Sequence, residues 1–112
     1  MGWHLIESEA DLEKAIELSK TNLGVAIFKH STRCSISAMA KSRLDASWDF
    51  NEELPRFYLD LISYREISQL IAERFNVRHE SPQILIIKNG ECVYNASHMS
   101  ISVRSLHSEL EG

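Results

Sequence analysis

VAIFKHSTRCSISAMA, residues 25–40, is the stretch whose reading decides the fold. Residues 25–28 form a near-continuous apolar run behind Gly24, the pattern of a strand buried on both faces of a parallel sheet. From Ser35 onward, Ile36, Ala40 and Leu44 recur on one helical face, which predicts a helix reaching Trp48. Between them lies a short loop that puts Cys34 at or beside the helix N-terminus. A loop of this kind, at the carboxyl end of a strand, is where open α/β sheets keep their functional crevice.

Working outward, residues 3–6 read as a short strand. Ser8 then caps a helix, with Asp11 as the acidic member of a capping box and Leu12, Ala15, Ile16 and Ser19 at helical spacing. Residues 22–24, beginning at Asn22, stop that helix. Pro55 sits just before the strand of residues 56–62, where proline is tolerated. The SYRE pattern of residues 63–66 is a capping box opening a third helix that carries Ile67, Leu70, Ile71 and Phe75. Residues 83–88 and 91–96 are two strands joined by Asn89-Gly90, the strongest short hairpin signal. A last helix carries Val103, Leu106 and Leu110. The order β-α-β-α-β-α-β-β-α, with crossovers among the first three strands and a closing hairpin, predicts a thioredoxin-like α/β fold. In it a mixed five-stranded sheet is flanked by four helices, as one domain over residues 1–112.

The composition is that of an ordinary globular chain, 44% hydrophobic and 25% charged with four Gly and two Pro. No apolar run suits a membrane span, and the start lacks the basic and apolar regions of a secretory signal, so the expected compartment is the cytoplasm. A net charge of −4 argues against non-specific nucleic-acid or membrane binding. The charge is unevenly spread, however. Between Leu18 and Leu44 there is no Asp or Glu, whereas Lys20, Lys29, Arg33, Lys41 and Arg43 all occur there, bracketing Cys34. Two cysteines, Cys34 and Cys92, make neither a disulfide framework nor the paired spacing of a structural zinc site.

The chemistry centres on Cys34. Unpaired N–H groups and the dipole at a helix N-terminus favour an anion, and Arg33 and Lys29 add positive charge, so a lowered thiol pKa and a nucleophilic thiolate are expected. The alternative is a buried spectator thiol. Three residues on comes Ser37, making the motif C-x-x-S. Its hydroxyl could hydrogen-bond the Cys34 sulfur or, as a helix-start serine, bond only backbone, but it cannot resolve a mixed disulfide. Ser81-Pro82, just before the hairpin, occupies the position at which thioredoxin-like folds carry a cis-proline facing the cysteine. There the backbone of the preceding residue pairs with bound substrate. His30 either tunes Cys34 and binds substrate or packs as a strand-end histidine. Arg78 and His79 either contact an anionic substrate or belong to a solvated loop. Asp60 is a proton carrier or a sheet-end carboxylate with a hydrogen-bond partner. Cys92 reads as a structural thiol, His107 as packing or surface, and Trp3 and Trp48 as core.

FKHSTRCSIS (residues 28–37), with YLDLISYR (58–65) and ESPQILIIKNGE (80–91), resembles the YtxJ-like family, the monothiol bacilliredoxins of the bacillithiol system. The likeness runs over nearly the whole chain, and its core is the pattern KHST-x-C-x-I-S. It implies thiol–disulfide exchange that removes bacillithiol from protein mixed disulfides. Bacillithiol is then a co-substrate and bacillithiolated proteins are the partners, with no metal or other cofactor. Under it Cys34 is the attacking thiol, Pro82 the substrate-side cis-proline, and Ser37 stands where a resolving thiol would be. Many members carry proline directly after the cysteine. Ser35 stands there in this chain and adds a backbone N–H near the sulfur. Arg33, Ser35, Lys29, His30 and Ser81 complete the expected substrate-binding set. Rival readings are a dithiol reductase pairing Cys34 with Cys92, a thioredoxin-fold adaptor or redox sensor modified at Cys34, and an iron–sulfur carrier dimer.

Overall fold

The computed structural model describes residues 2–21 and 23–111, so the helix stop expected at Asn22 lies outside the described residues. The strands are β1 (His4–Leu5), β2 (Val25–His30), β3 (Arg56–Asp60), β4 (Gln83–Lys88) and β5 (Glu91–Ser97). The helices are α1 (Glu9–Leu18), α2 (Ser35–Ser47), α3 (Arg65–Phe75) and α4 (Val103–Glu111). They form one mixed sheet in the order β1-β3-β2-β4-β5, with β1, β3 and β2 parallel and β4 and β5 antiparallel. This is the expected thioredoxin-like topology.

Strand β2 is central and buried along its whole length. Its alternation sorts the core in two. Val25 and Ile27 pack with Leu12, Ile16 and Ile71 under α1 and α3, whereas Ala26 and Phe28 pack with Ala40, Leu44, Ile101 and Leu106 under α2 and α4. Strand β5 carries a bulge opposite Ile86 and Ile87, which pair with Tyr94 and Cys92. The extra residue sends Tyr94 to the α2/α4 side and Cys92 to the α1/α3 side. The hairpin tip has Asn89 at φ 53° and Gly90 at φ 79°, the left-handed pair that a two-residue turn demands. It docks on α1, where the Asn89 N–H donates to the Ser19 carbonyl and the Gly90 N–H to Ser19 Oγ.

Local signals succeeded where only nearby atoms mattered. Ser8 Oγ accepts from the Asp11 N–H at 3.2 Å, and Asp11 reaches back to the Glu7 N–H at 2.9 Å. The SYRE box fails. Tyr64 is the N-cap of α3 with no side-chain cap bond, because Ser63 Oγ donates to Asp60 at 3.0 Å. The buried face of α2 is Ser37, Ala40 and Leu44, and Ile36 is instead half exposed. Two short 3₁₀ turns, Asn51–Glu53 and His98–Ser100, were not expected.

Candidate functional site

Cys34 is the N-cap of α2, with extended backbone (φ −110°, ψ 122°), and its carbonyl accepts the first helical bond from Ala38 at 3.0 Å. No side chain caps the helix, and its first turn holds no acidic residue. The partly exposed sulfur therefore stands at the N-terminal end of a helix whose first-turn N–H groups it does not cap, and the dipole at such an end favours a nearby negative charge.

The basic window around this sulfur is mostly spent elsewhere. Lys20 pairs with Glu17 at 3.0 Å, Lys41 with Asp45 at 2.9 Å, and Arg43 donates to the carbonyls of His98 and Ile101. Lys29, expected on the substrate side, is fully buried, with Nζ 3.3 Å from His79 Nδ1. Strand alternation is the physical reason: Lys29 and His30 are neighbours in β2 and leave opposite faces of the sheet. Burial pulls the Lys29 amine down to about 8. Arg33 and Ser35 flank Cys34 in sequence and are exposed, and Arg33 makes no ion pair among the described residues.

His30 follows the other face. It is buried, stacked on Phe28 and against Tyr58, and its Nδ1 lies 2.7 Å from Ser37 Oγ. Burial is the main cause holding its pKa below the usual value, aided by the Lys41 charge and opposed by Asp60 and Ser37. Ser37 is itself fully buried, and its oxygen accepts the Ser31 N–H at 3.0 Å. With Nδ1 of a neutral His30 as acceptor, the single hydroxyl hydrogen of Ser37 is used there. Among the described residues no hydrogen bond joins Ser37 to Cys34, so the expected donor to the sulfur is a structural brace of the β2–α2 loop. The sequence carried no sign of this His30–Ser37 pair beyond the two residues' presence.

The Ser81–Pro82 peptide bond is cis. The antiparallel register pairs Lys29 with Gln83, so one step on sets the buried Pro82 opposite His30, at the end of β2 that leads into the Cys34 loop. The Pro82 carbonyl accepts from His98 at 3.0 Å. Asp60 is a sheet-end carboxylate, accepting from the Ile62 N–H and the Ser63 hydroxyl. His107 stacks on Phe50 at 4.1 Å and meets Asp49 at 2.6 Å, away from this site. Arg78 is almost fully exposed, 3.6 Å from Glu80.

Cys92 cannot pair with Cys34. It lies at the hairpin end of β4–β5 on the α1/α3 face, whereas Cys34 follows the far end of β2 on the α2 face. The six residues of β2 alone separate the two ends by roughly 16 Å, against a Cα separation of about 7 Å at most across a disulfide. Both thiols are free, and burial pushes the Cys92 pKa up. Among the described residues no group of His, Cys, Asp and Glu could hold a metal ion. No helix among them is long and apolar enough to cross a membrane.

Known proteins resemble this chain in sequence and fold. The sequence profile of the family described as monothiol bacilliredoxin BrxC matches residues 4–106. A solved structure described as a candidate oxidoreductase with a thioredoxin fold is 35% identical, with a TM-score of 0.82. That match covers 97% of this chain and 93% of the other. Thioredoxin from Fasciola hepatica superposes with a TM-score of 0.72 at 20% identity, covering 96% of each chain. Mitochondrial thioredoxin 3 from Saccharomyces cerevisiae gives 0.71 at 14% identity, over 97% and 93%. The last two likenesses concern the fold alone.

Proposed function

From the premise that this chain belongs to the monothiol bacilliredoxin family, and is thus a thiol oxidoreductase of thioredoxin fold, we propose that it removes bacillithiol from protein mixed disulfides through Cys34. The observation that carries this reading is a partly exposed cysteine at a helix N-cap with no second thiol near it. The Cys34 thiolate attacks the bacillithiol sulfur of a protein–bacillithiol disulfide. A new S–S bond joins Cys34 to bacillithiol, the old one breaks, and the protein leaves as a thiolate that takes a proton from water. A second bacillithiol thiolate then attacks the sulfur of the bound bacillithiol. Oxidised bacillithiol forms and Cys34 returns as a thiolate, so electrons balance without any other cofactor.

Ser37 offers no sulfur to short-circuit this cycle. Arg33 and the first-turn N–H groups, including that of Ser35, are the cations and donors available to the carboxylates of bacillithiol's malate part. In this reading Ser81 and Pro82, opposite His30 at the end of β2, face the substrate from the other side. A reducing, cytoplasmic setting fits two free thiols.

The test is release of bacillithiol or glutathione from one model protein by the parent and by Cys34→Ser. Faster release of bacillithiol, lost in the variant, is the expected result. Equal rates for both adducts leave a generic monothiol exchanger. No Cys34-dependent release, with an intact-mass adduct still forming on Cys34, points to the adaptor or sensor instead.

A further inference from the structure

Lys29 stands out as a charged side chain with no exposure in the central strand of the sheet. A buried amine is costly unless its donors are used, and a purely structural position would take an aliphatic residue more cheaply. The acceptor it meets is His79 Nδ1 at 3.3 Å, and Ser68 Oγ on α3 approaches the same nitrogen at 3.4 Å. His79 is exposed, with this one edge turned inward. The cross-strand partner of Lys29, Gln83, is buried too, donating from Nε2 to the Arg78 carbonyl at 3.0 Å while its Oε1 has no partner among the described residues.

What these groups hold is the loop that ends in the cis bond. Among the described residues no main-chain hydrogen bond ties residues 78–81 to the rest of the fold, between the Val77 N–H and the Pro82 carbonyl. The loop's position therefore rests on side chains. Lys29, Ser68 and Gln83 hold it from inside, and the Glu80 contact with His98 (3.8 Å) holds it from outside, while Arg78 and Glu80 (3.6 Å) pair within the loop itself. The free main-chain groups of Ser81 are what an extended substrate segment would pair with.

We propose that Lys29 and His79 are positioning residues, forming a latch that fixes the Ser81–Pro82 loop for exchange at Cys34 and opens when His79 becomes doubly protonated. The proposal rests on the exchange reading of Cys34. The Nδ1 of a neutral imidazole accepts from the Lys29 ammonium, whereas an imidazolium has no acceptor and sets a second cation against the first. The charges acting on His79 are Lys29 from β2, which disfavours protonation, and Glu80 from the loop, which favours it. Among the described residues, the hydrogen-bonding group that helix α3 brings to His79 is the neutral Ser68. Burial adds to the Lys29 effect and is the largest cause of the lowered His79 pKa.

The test compares two reactions of Cys34 between about pH 5 and about pH 8, the range in which histidine titrates. One is exchange with an extended peptide bearing a glutathione mixed disulfide, and the other is alkylation by iodoacetamide, which needs no loop. Their ratio cancels the thiolate fraction. In the parent the ratio should fall about five-fold on acidification, the change one ordinary hydrogen bond supports. His79→Gln, whose amide oxygen accepts from Lys29 without titrating, should give a flat and high ratio. Lys29→Met should give a low ratio at every pH. A flat ratio in the parent, an unchanged acid limb in His79→Gln, or a parent-like Lys29→Met overturns the latch. Should Cys34 alkylate but not exchange, the exchange reading fails and the latch is judged by NMR. The Ser81 amide shift must then follow the His79 imidazole titration, and a Ser81 amide that ignores it overturns the latch as well.

Discussion

Replacing Ser37 by alanine asks whether this residue serves the sulfur or the scaffold. The hydroxyl is fully buried and satisfies two groups, the Ser31 N–H at 3.0 Å and His30 Nδ1 at 2.7 Å. Truncation leaves the buried imidazole nitrogen unpaired, at about 1–3 kcal/mol, while the half-buried Ser31 N–H recovers part of its loss from water. The sum is about 2 kcal/mol. With an unfolding entropy of about 2.1 cal/mol/K per residue over 112 residues, that lowers Tm by about 8 °C. Urea titration of parent and variant at neutral pH measures it directly. In a His30→Phe background, which keeps a ring against Phe28 and Tyr58, the same truncation should cost about 1 kcal/mol less, since the pair is already broken. Alkylation of Cys34 by iodoacetamide should change by less than about two-fold. A stability loss below about 0.5 kcal/mol, or a tenfold drop in alkylation with stability intact, would refute the reasoning and return Ser37 to the sulfur.

Three further outcomes follow from other parts of the fold. The Lys29 amine titrates at about 8 in the fold and near 10.5 unfolded, so between those values the unfolded chain binds more protons and stability rises with pH. The rise is about 3 kcal/mol in full, isolated by subtracting the urea-derived profile of Lys29→Met; a difference profile flat above pH 8 removes the buried charge from the account. Gly24 has φ +113° and its missing Cβ would run into the Ile87 carbonyl oxygen, so Gly24→Ala should destabilise by more than about 1 kcal/mol, and a neutral result in thermal melts contradicts the close strand approach. Peptide mapping after alkylation at neutral pH should find Cys34 labelled and Cys92 spared, because burial raises the Cys92 pKa. Cys92 should react only in more alkaline solution, and equal labelling of both thiols at neutral pH would count against its buried placement.

The architecture was legible because its determinants are local. The apolar run at β2, the Asn89-Gly90 turn and the Ser8–Asp11 cap each depend on neighbours within a few residues. Cys34 at the start of α2 could be read from element order, and Ser81–Pro82 as a cis pair from that order together with what thioredoxin-like folds carry before the hairpin. The side-chain assignments around them could not, since they depend on which face a residue leaves. Lys29 and His30 are adjacent in the sequence but leave opposite faces of the sheet, because a strand has a two-residue period, so they do not both share a side with Cys34. Ile36 lies outside the buried face of α2 and Ser37 within it, because a serine whose oxygen is used in two hydrogen bonds can be buried although its residue type is polar. The SYRE pattern failed through competition: Asp60, three residues earlier, takes the serine hydroxyl first.

The strand length between Cys34 and Cys92 has a consequence for how such a domain follows its surroundings. A dithiol protein closing an internal bond releases two small thiols per small disulfide consumed, so its oxidised-to-reduced ratio varies with disulfide over the square of thiol concentration. With one exchangeable sulfur the stoichiometry is one for one. The fraction of Cys34 carrying an adduct then depends on the simple ratio of disulfide to thiol, and diluting the whole pool at a fixed ratio leaves it unchanged. On the proposed exchange at Cys34, roughly 16 Å of β2 between the two thiols would make the protein a gauge of the pool's oxidation ratio that is blind to the pool's size.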